Sequence, residues 1–188
     1  MIRVTALHFI VVSLLLWGNS AQAAGLIFSG EHPEALAPSA KYSVRYQRID
    51  AKGPYGPHGL FLVNKESGES KLILGFERSA DVLWSPDGQF LAVTNWFGSN
   101  VSEVFVFKVA TMGKTDIRDV LKKNIGVFPW RRDIENLSEY FEALSWETPS
   151  RLKFLVRGHG LRKDKGVENF EEVYIYDTSG TIKKASTK

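Results

Sequence analysis

The stretch Leu83-Trp84-Ser85-Pro86-Asp87-Gly88-Gln89-Phe90-Leu91-Ala92-Val93 reads as a β-hairpin. Two apolar runs, Val82 to Trp84 and Phe90 to Val93, flank a link in which every residue has a turn role. Pro86 pre-sets its backbone angle for the first corner, and Asp87 can bond neighbouring amides through its carboxylate. Gly88 supplies the positive φ that closes the turn. The stretch specifies architecture and carries little chemistry of its own.

Working outward, the same grammar of strand and turn covers most of the chain. Lys41 to Ile49 alternates, with Tyr42, Val44 and Tyr46 on one face and Lys41, Ser43, Arg45 and Gln47 on the other. Period two with aromatic and β-branched residues predicts a strand. Leu60 to Val63 and Lys71 to Leu74 read as an antiparallel pair around the polar turn Asn64 to Glu69, and Glu103 to Val109 is the most strongly patterned strand. Leu26 to Phe28 predicts a short edge strand. Glu31 to Ala40, with Pro33 and Pro38, and Asp50 to His58, with Gly53-Pro54-Tyr55-Gly56-Pro57, read as loops.

Thr115 to Asn124 breaks the β pattern. Ile117, Val120 and Leu121 fall at helical spacing, Thr115 is placed to cap and Gly126 to end the turn, so one helix is expected. Arg131 to Glu142 stays open between helix and strand: Ile134, Leu137, Phe141 and Leu144 suit a helix, yet Ala143 to Trp146 approaches a hairpin. Arg151 to Arg157 and Val173 to Tyr176 return to strand alternation.

The hairpin recurs. Trp84 to Val93 aligns with Trp146-Glu147-Thr148-Pro149-Ser150-Arg151-Leu152-Lys153-Phe154-Leu155-Val156, one residue being added in the second copy. Glu103-Val104-Phe105-Val106-Phe107 matches Glu172-Val173-Tyr174-Ile175-Tyr176, and Gly59 to Val63 is part of a third copy. The strands therefore group as three four-stranded antiparallel units near residues 26–75, 80–129 and 142–184, with the last strand of the middle unit placed at Ile125 to Phe128.

Trp-Ser-Pro-Asp-Gly-x-x-Leu-Ala-Val resembles the repeat of TolB-type β-propellers, periplasmic scaffolds whose blades carry that hairpin. The same repeat is found in the propeller domains of prolyl-oligopeptidase-type enzymes. The resemblance implies an all-β fold of propeller-like four-stranded units with one or two short helices, and it is specific for architecture rather than function. A closed propeller takes about four to eight blades. Three units predict a further, divergent blade, an open arc or incomplete propeller, a sandwich, or a ring completed by a second chain. Uncovered apolar blade faces point in turn to a protein partner or a homodimer.

The N-terminus sets the expected compartment. Arg3 precedes the largely apolar run Ala6 to Trp17, and Ala21-Gln22-Ala23 follows as a small-x-small cleavage site. Residues 1–23 thus read as a secretory signal and 24–188 as a single domain, periplasmic or secreted, with no stable membrane span after cleavage. There is no cysteine, which excludes disulfides, thiol chemistry and Cys-based zinc sites. Removing Arg3 leaves 23 basic against 21 acidic residues, a balance that argues against a nucleic-acid binder driven by bulk charge.

Familiar catalytic signatures are missing. Gly113-Lys114-Thr115 lacks the glycine five residues before Gly113 that a phosphate loop needs, Lys108 standing there, and no Gly-x-Ser-x-Gly elbow occurs. The carboxylate groups Glu135, Glu139, Glu142 and Glu168, Glu171, Glu172 read as solvated faces. No cofactor or metal site is expected. Trp84, Pro86, Asp87, Gly88 and Trp146 are assigned structural roles in the repeat. Trp96 and Trp130 have no repeat counterpart; with Tyr55, Phe97 and Arg131 they are candidates for a binding face. The expected function is binding or scaffolding through protein contacts. The alternative is a hydrolase-like envelope enzyme with its site on the loops 54–58 and 157–163, using His58, Arg157 and His159.

Overall fold

A computed structural model describes residues 25–28, 34–49, 58–126, 128, 134–162 and 165–186. The predicted signal, Tyr55, Trp130 and Arg131 lie outside these residues. In chain order the strands are β1 (Gly25–Phe28), β2 (Glu34–Leu36), β3 (Tyr42–Arg48), β4 (His58–Asn64), β5 (Ser70–Phe76), β6 (Ser79–Trp84), β7 (Phe90–Trp96), β8 (Ser102–Lys108) and β9 (Gly113–Asp116). Helix α1 (Ile117–Ile125) follows, then β10 (Ile134–Thr148), β11 (Arg151–Arg162), β12 (Gly166–Asp177) and β13 (Thr181–Lys184). They form three antiparallel meanders: a first sheet β2-β3-β4-β5, a middle sheet β6-β7-β8-β9 with β1 added on β6, and a third sheet β10-β11-β12-β13.

The middle sheet is buried on both faces, which is why its strands read as nearly continuous apolar runs. Val82, Trp84, Leu91, Val93, Phe105 and Phe107 pack against Val44, Leu60, Leu62 and Phe76 of the first sheet. Leu83, Ala92, Val104 and Val106 pack against Phe141, Trp146, Leu152, Phe154 and Tyr174 of the third. Two hydrophobic cores separated by one sheet result, the stacking of propeller blades.

The hairpin link closes through its own polar groups. Gly88 has φ +69°, and its N–H donates to the Ser85 carbonyl at 2.8 Å. The Asp87 carboxylate accepts from the Ser85 hydroxyl at 2.7 Å and the Gln89 N–H at 3.0 Å. A copy that the sequence hides lies in the first sheet, where Ala37 N–H donates to Tyr42 O and Ala40 N–H to Ala37 O, both at 2.9 Å. Ala40 stands where Gly88 does and is forced to φ +56°. Leu36 stands where Trp84 does.

The repeated tryptophans follow one rule. Trp84 donates its indole N–H to the carbonyl of Ala35, in the preceding sheet, at 3.3 Å. Trp146 donates to the carbonyl of Leu83, again in the preceding sheet, at 3.0 Å. Ala35 and Leu83 are equivalent, each preceding the repeat position held by Leu36 and Trp84. Each buried indole therefore satisfies its donor on the inner strand of the neighbouring unit.

Several sequence expectations are corrected. Leu26 to Phe28 pairs with β6 rather than beginning the first unit, and Glu34–Leu36 is a strand where a loop was expected. The outer strand of the middle sheet is Gly113–Asp116, so Gly113-Lys114-Thr115 is strand and Ile125 ends the helix. Asp116, not Thr115, caps α1, accepting from the N–H groups of Arg118 and Asp119. One helix is present among the described residues. Arg131 to Glu142 resolves from Ile134 onward as strand. Trp146 pairs with Leu152 as Trp84 pairs with Leu91, so the third link is one residue shorter, not longer.

Helix α1 covers the middle–third interface. Ile117 and Leu121 are buried there, and Arg118 forms a 2.6 Å ion pair with Glu139, whose side chain is only 4% exposed. The same guanidinium donates to Ser102 O at 3.2 Å and lies 4.6 Å from the Phe141 ring. A buried carboxylate needs such multiple partners to offset its desolvation.

Candidate functional site

The third sheet is longer than the other two. Its first three strands run 15, 12 and 12 residues, whereas β3, β4, β7 and β8 run seven each. The surplus forms a three-stranded extension at the rim opposite the Ser-Pro-Asp-Gly turn. Its root is stitched to the β7–β8 loop: Glu139 N–H donates to Asn100 O at 3.0 Å, and the Tyr140 hydroxyl donates to Ser99 O at 2.8 Å. A register shift between Glu135 and Ser138, with Asn136 at φ +51°, brings β10 against β11. Gly158 makes that approach possible, since a Cβ there would stand 2.1 Å from the Ser138 carbonyl. The Phe170 ring covers the bare glycine from the paired position on β12.

A row of polar and aromatic side chains crosses from the middle sheet onto this extension. Trp96 donates its indole N–H to Asp81 Oδ2 at 2.6 Å. Its ring lies 6.3 Å from Tyr140, and the Arg157 guanidinium lies 5.7 Å from the Tyr140 ring centre. Arg157 is held loosely by Glu142 at 3.6 Å. Burial pushes the Asp81 carboxyl above the ordinary aspartate pKa; the Trp96 hydrogen bond opposes that shift and the Glu142 charge adds to it. Asp81 Oδ1 is buried without a hydrogen-bond partner among the described residues.

Beyond Arg157 the row opens into a shallow pocket of about 240 Å³ lined by Tyr140, Arg157, Gly158, His159, Asn169, Phe170 and Glu171. Strand alternation fixes what faces out. Leu152, Phe154 and Val156 point to the core, so Arg157 and His159 point away from it, as do Asn169 and Glu171 opposite them. Farther out, Leu161 is 46% and Val167 67% exposed on the same outward face.

Three sequence candidates therefore converge: Trp96, Arg157 and His159, with Phe97 following Trp96 in the adjoining loop. Arg157 and His159 both stand on strand β11, which continues beyond the expected end at Arg157 to Arg162, through most of the expected loop 157–163. His58 is not part of the group. It opens β4, is buried, and shares a 2.6 Å hydrogen bond from Nδ1 with the Tyr46 hydroxyl. Burial, with Arg48 adding, holds its imidazole below the ordinary pKa. It belongs to the first–middle side of the molecule, with Phe76 5.3 Å away, while His159 belongs to the third sheet. Trp84, Pro86, Asp87 and Gly88 lie at the opposite end of β6 and β7, and Trp146 at the β10–β11 turn.

Sequence reasoning missed Tyr140, Asp81 and Asn169, whose part comes only from tertiary placement. One signal was available. Gly158 and Gly160 bracket His159 inside a strand pattern, and a strand glycine marks close backbone approach.

Neither a protein-family model nor a curated protein sequence matches the chain. Solved structures do. Dipeptidyl peptidase 4 from Porphyromonas gingivalis is 10% identical, the match covering 82% of this chain and 25% of that one at a TM-score of 0.48. The β-propeller domain of the Trilobed protease from Pyrococcus furiosus is 15% identical, with 82% and 42% covered and a TM-score of 0.47. TolB from Acinetobacter baumannii is 16% identical, with 88% and 33% covered and a TM-score of 0.38. The chain spans between a quarter and about two-fifths of the length of these three.

Proposed function

We propose that the protein is a periplasmic or secreted binding and scaffolding unit that contacts protein partners through the rim extension of its third sheet. The observation that carries this reading is the Trp96–Tyr140–Arg157 row ending on an outward-facing strip with Leu161 and Val167 exposed. Trp, Tyr and Arg are the residue types that dominate binding hot spots, and apolar side chains beside them exclude water from the contact. The compartment rests on the apolar run Ala6 to Trp17 and on Ala21-Gln22-Ala23. Among the described residues no helix is long and apolar enough to cross a membrane.

The hydrolase-like alternative needs His58 and His159 to serve one site. Their separation into the first and third sheets, and the Tyr46 bond that occupies His58, favour binding over catalysis.

The test is capture from envelope extract with the wild type and with Arg157→Glu and Val167→Asp. Both positions are exposed, so the variants keep the fold. The reading expects a defined partner set retained by the wild type and lost by both variants. Partners retained unchanged by both variants refute the extension as the contact surface.

A further inference from the structure

The inter-sheet rule has an unfilled copy at each end of the stack. At the leading end Leu36 occupies the tryptophan position and is 54% exposed; Leu72 and Ile49, on the same outward face of the first sheet, are 46% and 47% exposed. The Ile49 side chain lies over Gly59 beside Phe61, extending that apolar face. At the trailing end, Leu155 and Val173, both half-buried, are paired across β11 and β12 on the outward face of the third sheet, next to the buried Ile175. Ser145 holds the position equivalent to Ala35 and Leu83, whose carbonyls each receive an indole from the next unit.

We propose that two copies of this chain close a six-unit ring, the outward face of each first sheet packing on the outward face of the other copy's third sheet. The three units among the described residues are fewer than the roughly four to eight that close a propeller, and two copies supply a number inside that range. The contact is head to tail and closes under two-fold rotation, repeating the geometry of the two interfaces already inside the chain. A four-stranded face of seven-residue strands measures ~19 by ~23 Å, or ~440 Å². Closure covers four such faces, ~1,750 Å² in all, within the range of stable dimers. The ring uses the body of the third sheet and leaves the rim extension free, so the proposal stands apart from the partner-binding reading.

The experiment is sedimentation velocity of the chain from Ala24 onward at micromolar concentration, for the wild type, Leu72→Lys and Leu36→Trp. The wild type is expected to sediment as two chains and Leu72→Lys as one with an unchanged circular-dichroism spectrum. Leu36→Trp restores the repeat residue at an exposed position. Its indole can donate to the Ser145 carbonyl of the second copy, tightening the dimer about tenfold. A one-chain mass for the wild type overturns the proposal. So does growth beyond two chains, or a dimer indifferent to both substitutions.

Discussion

Replacing Trp146 by phenylalanine isolates the rule that joins the units. The residue is 4% exposed, its ring stacks 6.1 Å from Phe90, and its indole N–H donates to the Leu83 carbonyl at 3.0 Å. Phenylalanine keeps the apolar packing but removes the donor and part of the ring. Leu83 pairs with Ala92 in the β6–β7 ladder, so its carbonyl keeps a backbone partner and the loss is that of one net hydrogen bond, about 0.5–1.5 kcal/mol. The lost ring volume adds on the order of 1 kcal/mol through transfer and residual cavity. The expected total, about 1.5–2.5 kcal/mol, is a sizeable share of a typical stability of about 5–15 kcal/mol. Trp84→Phe should cost less, because its bond to Ala35 is longer at 3.3 Å and ends on the three-residue strand β2. The assay is urea unfolding followed by far-ultraviolet circular dichroism, comparing midpoints at constant slope. A Trp146→Phe midpoint within error of the wild type, or a larger loss from Trp84→Phe, would refute the assignment of the indole bond as the inter-sheet tie.

Three further outcomes follow from the same geometry. Gly88→Ala forces a side chain to φ +69°, with Ser39 Oγ 3.2 Å from the new Cβ, and should lower stability by ~1 kcal/mol; Ala40→Gly relieves φ +56° at the equivalent position and should raise it. Urea unfolding of both variants checks the opposite signs, and equal signs refute the equivalence. His58 has a folded pKa held below its ordinary value of 6.5, so the unfolded chain binds its proton more readily. Its contribution is complete above pH 6.5 and is lost as pH falls from there to the depressed folded value. The slope of stability against pH over that window should shrink in His58→Gln, and an unchanged slope contradicts the burial argument. The secreted protein, if processed as proposed, should begin at Ala24, which intact-mass measurement decides.

The legible parts of the fold were those whose burial imposes a period. β7 and β8 declare themselves because both faces are covered, so Leu91 to Val93 and Val104 to Phe107 are apolar without interruption. β9 was missed because an outer strand carrying Gly113-Lys114-Thr115-Asp116 has no apolar face to reveal it. β2 was hidden by the prolines around it and by Leu36 and Ala40, which replace the tryptophan and glycine that mark the other turns. β10 looked partly helical for a physical reason. Register shifts after Glu135 and after Ala143 break period two, so Ile134, Leu137, Phe141 and Leu144 fall at spacings that mimic a helix. The candidate site was half legible: Trp96, Arg157 and His159 could be named, but not Tyr140, whose ring lies between Trp96 and Arg157.

The most direct test of the account is site-specific photo-crosslinking in cells, with the reactive residue placed at His159 on the rim extension or at Ser67 in the β4–β5 turn. The account predicts discrete protein adducts from position 159 that disappear on Arg157→Glu, and none from position 67. Adducts of equal yield from both positions, or none from position 159 in correctly exported protein, would contradict it.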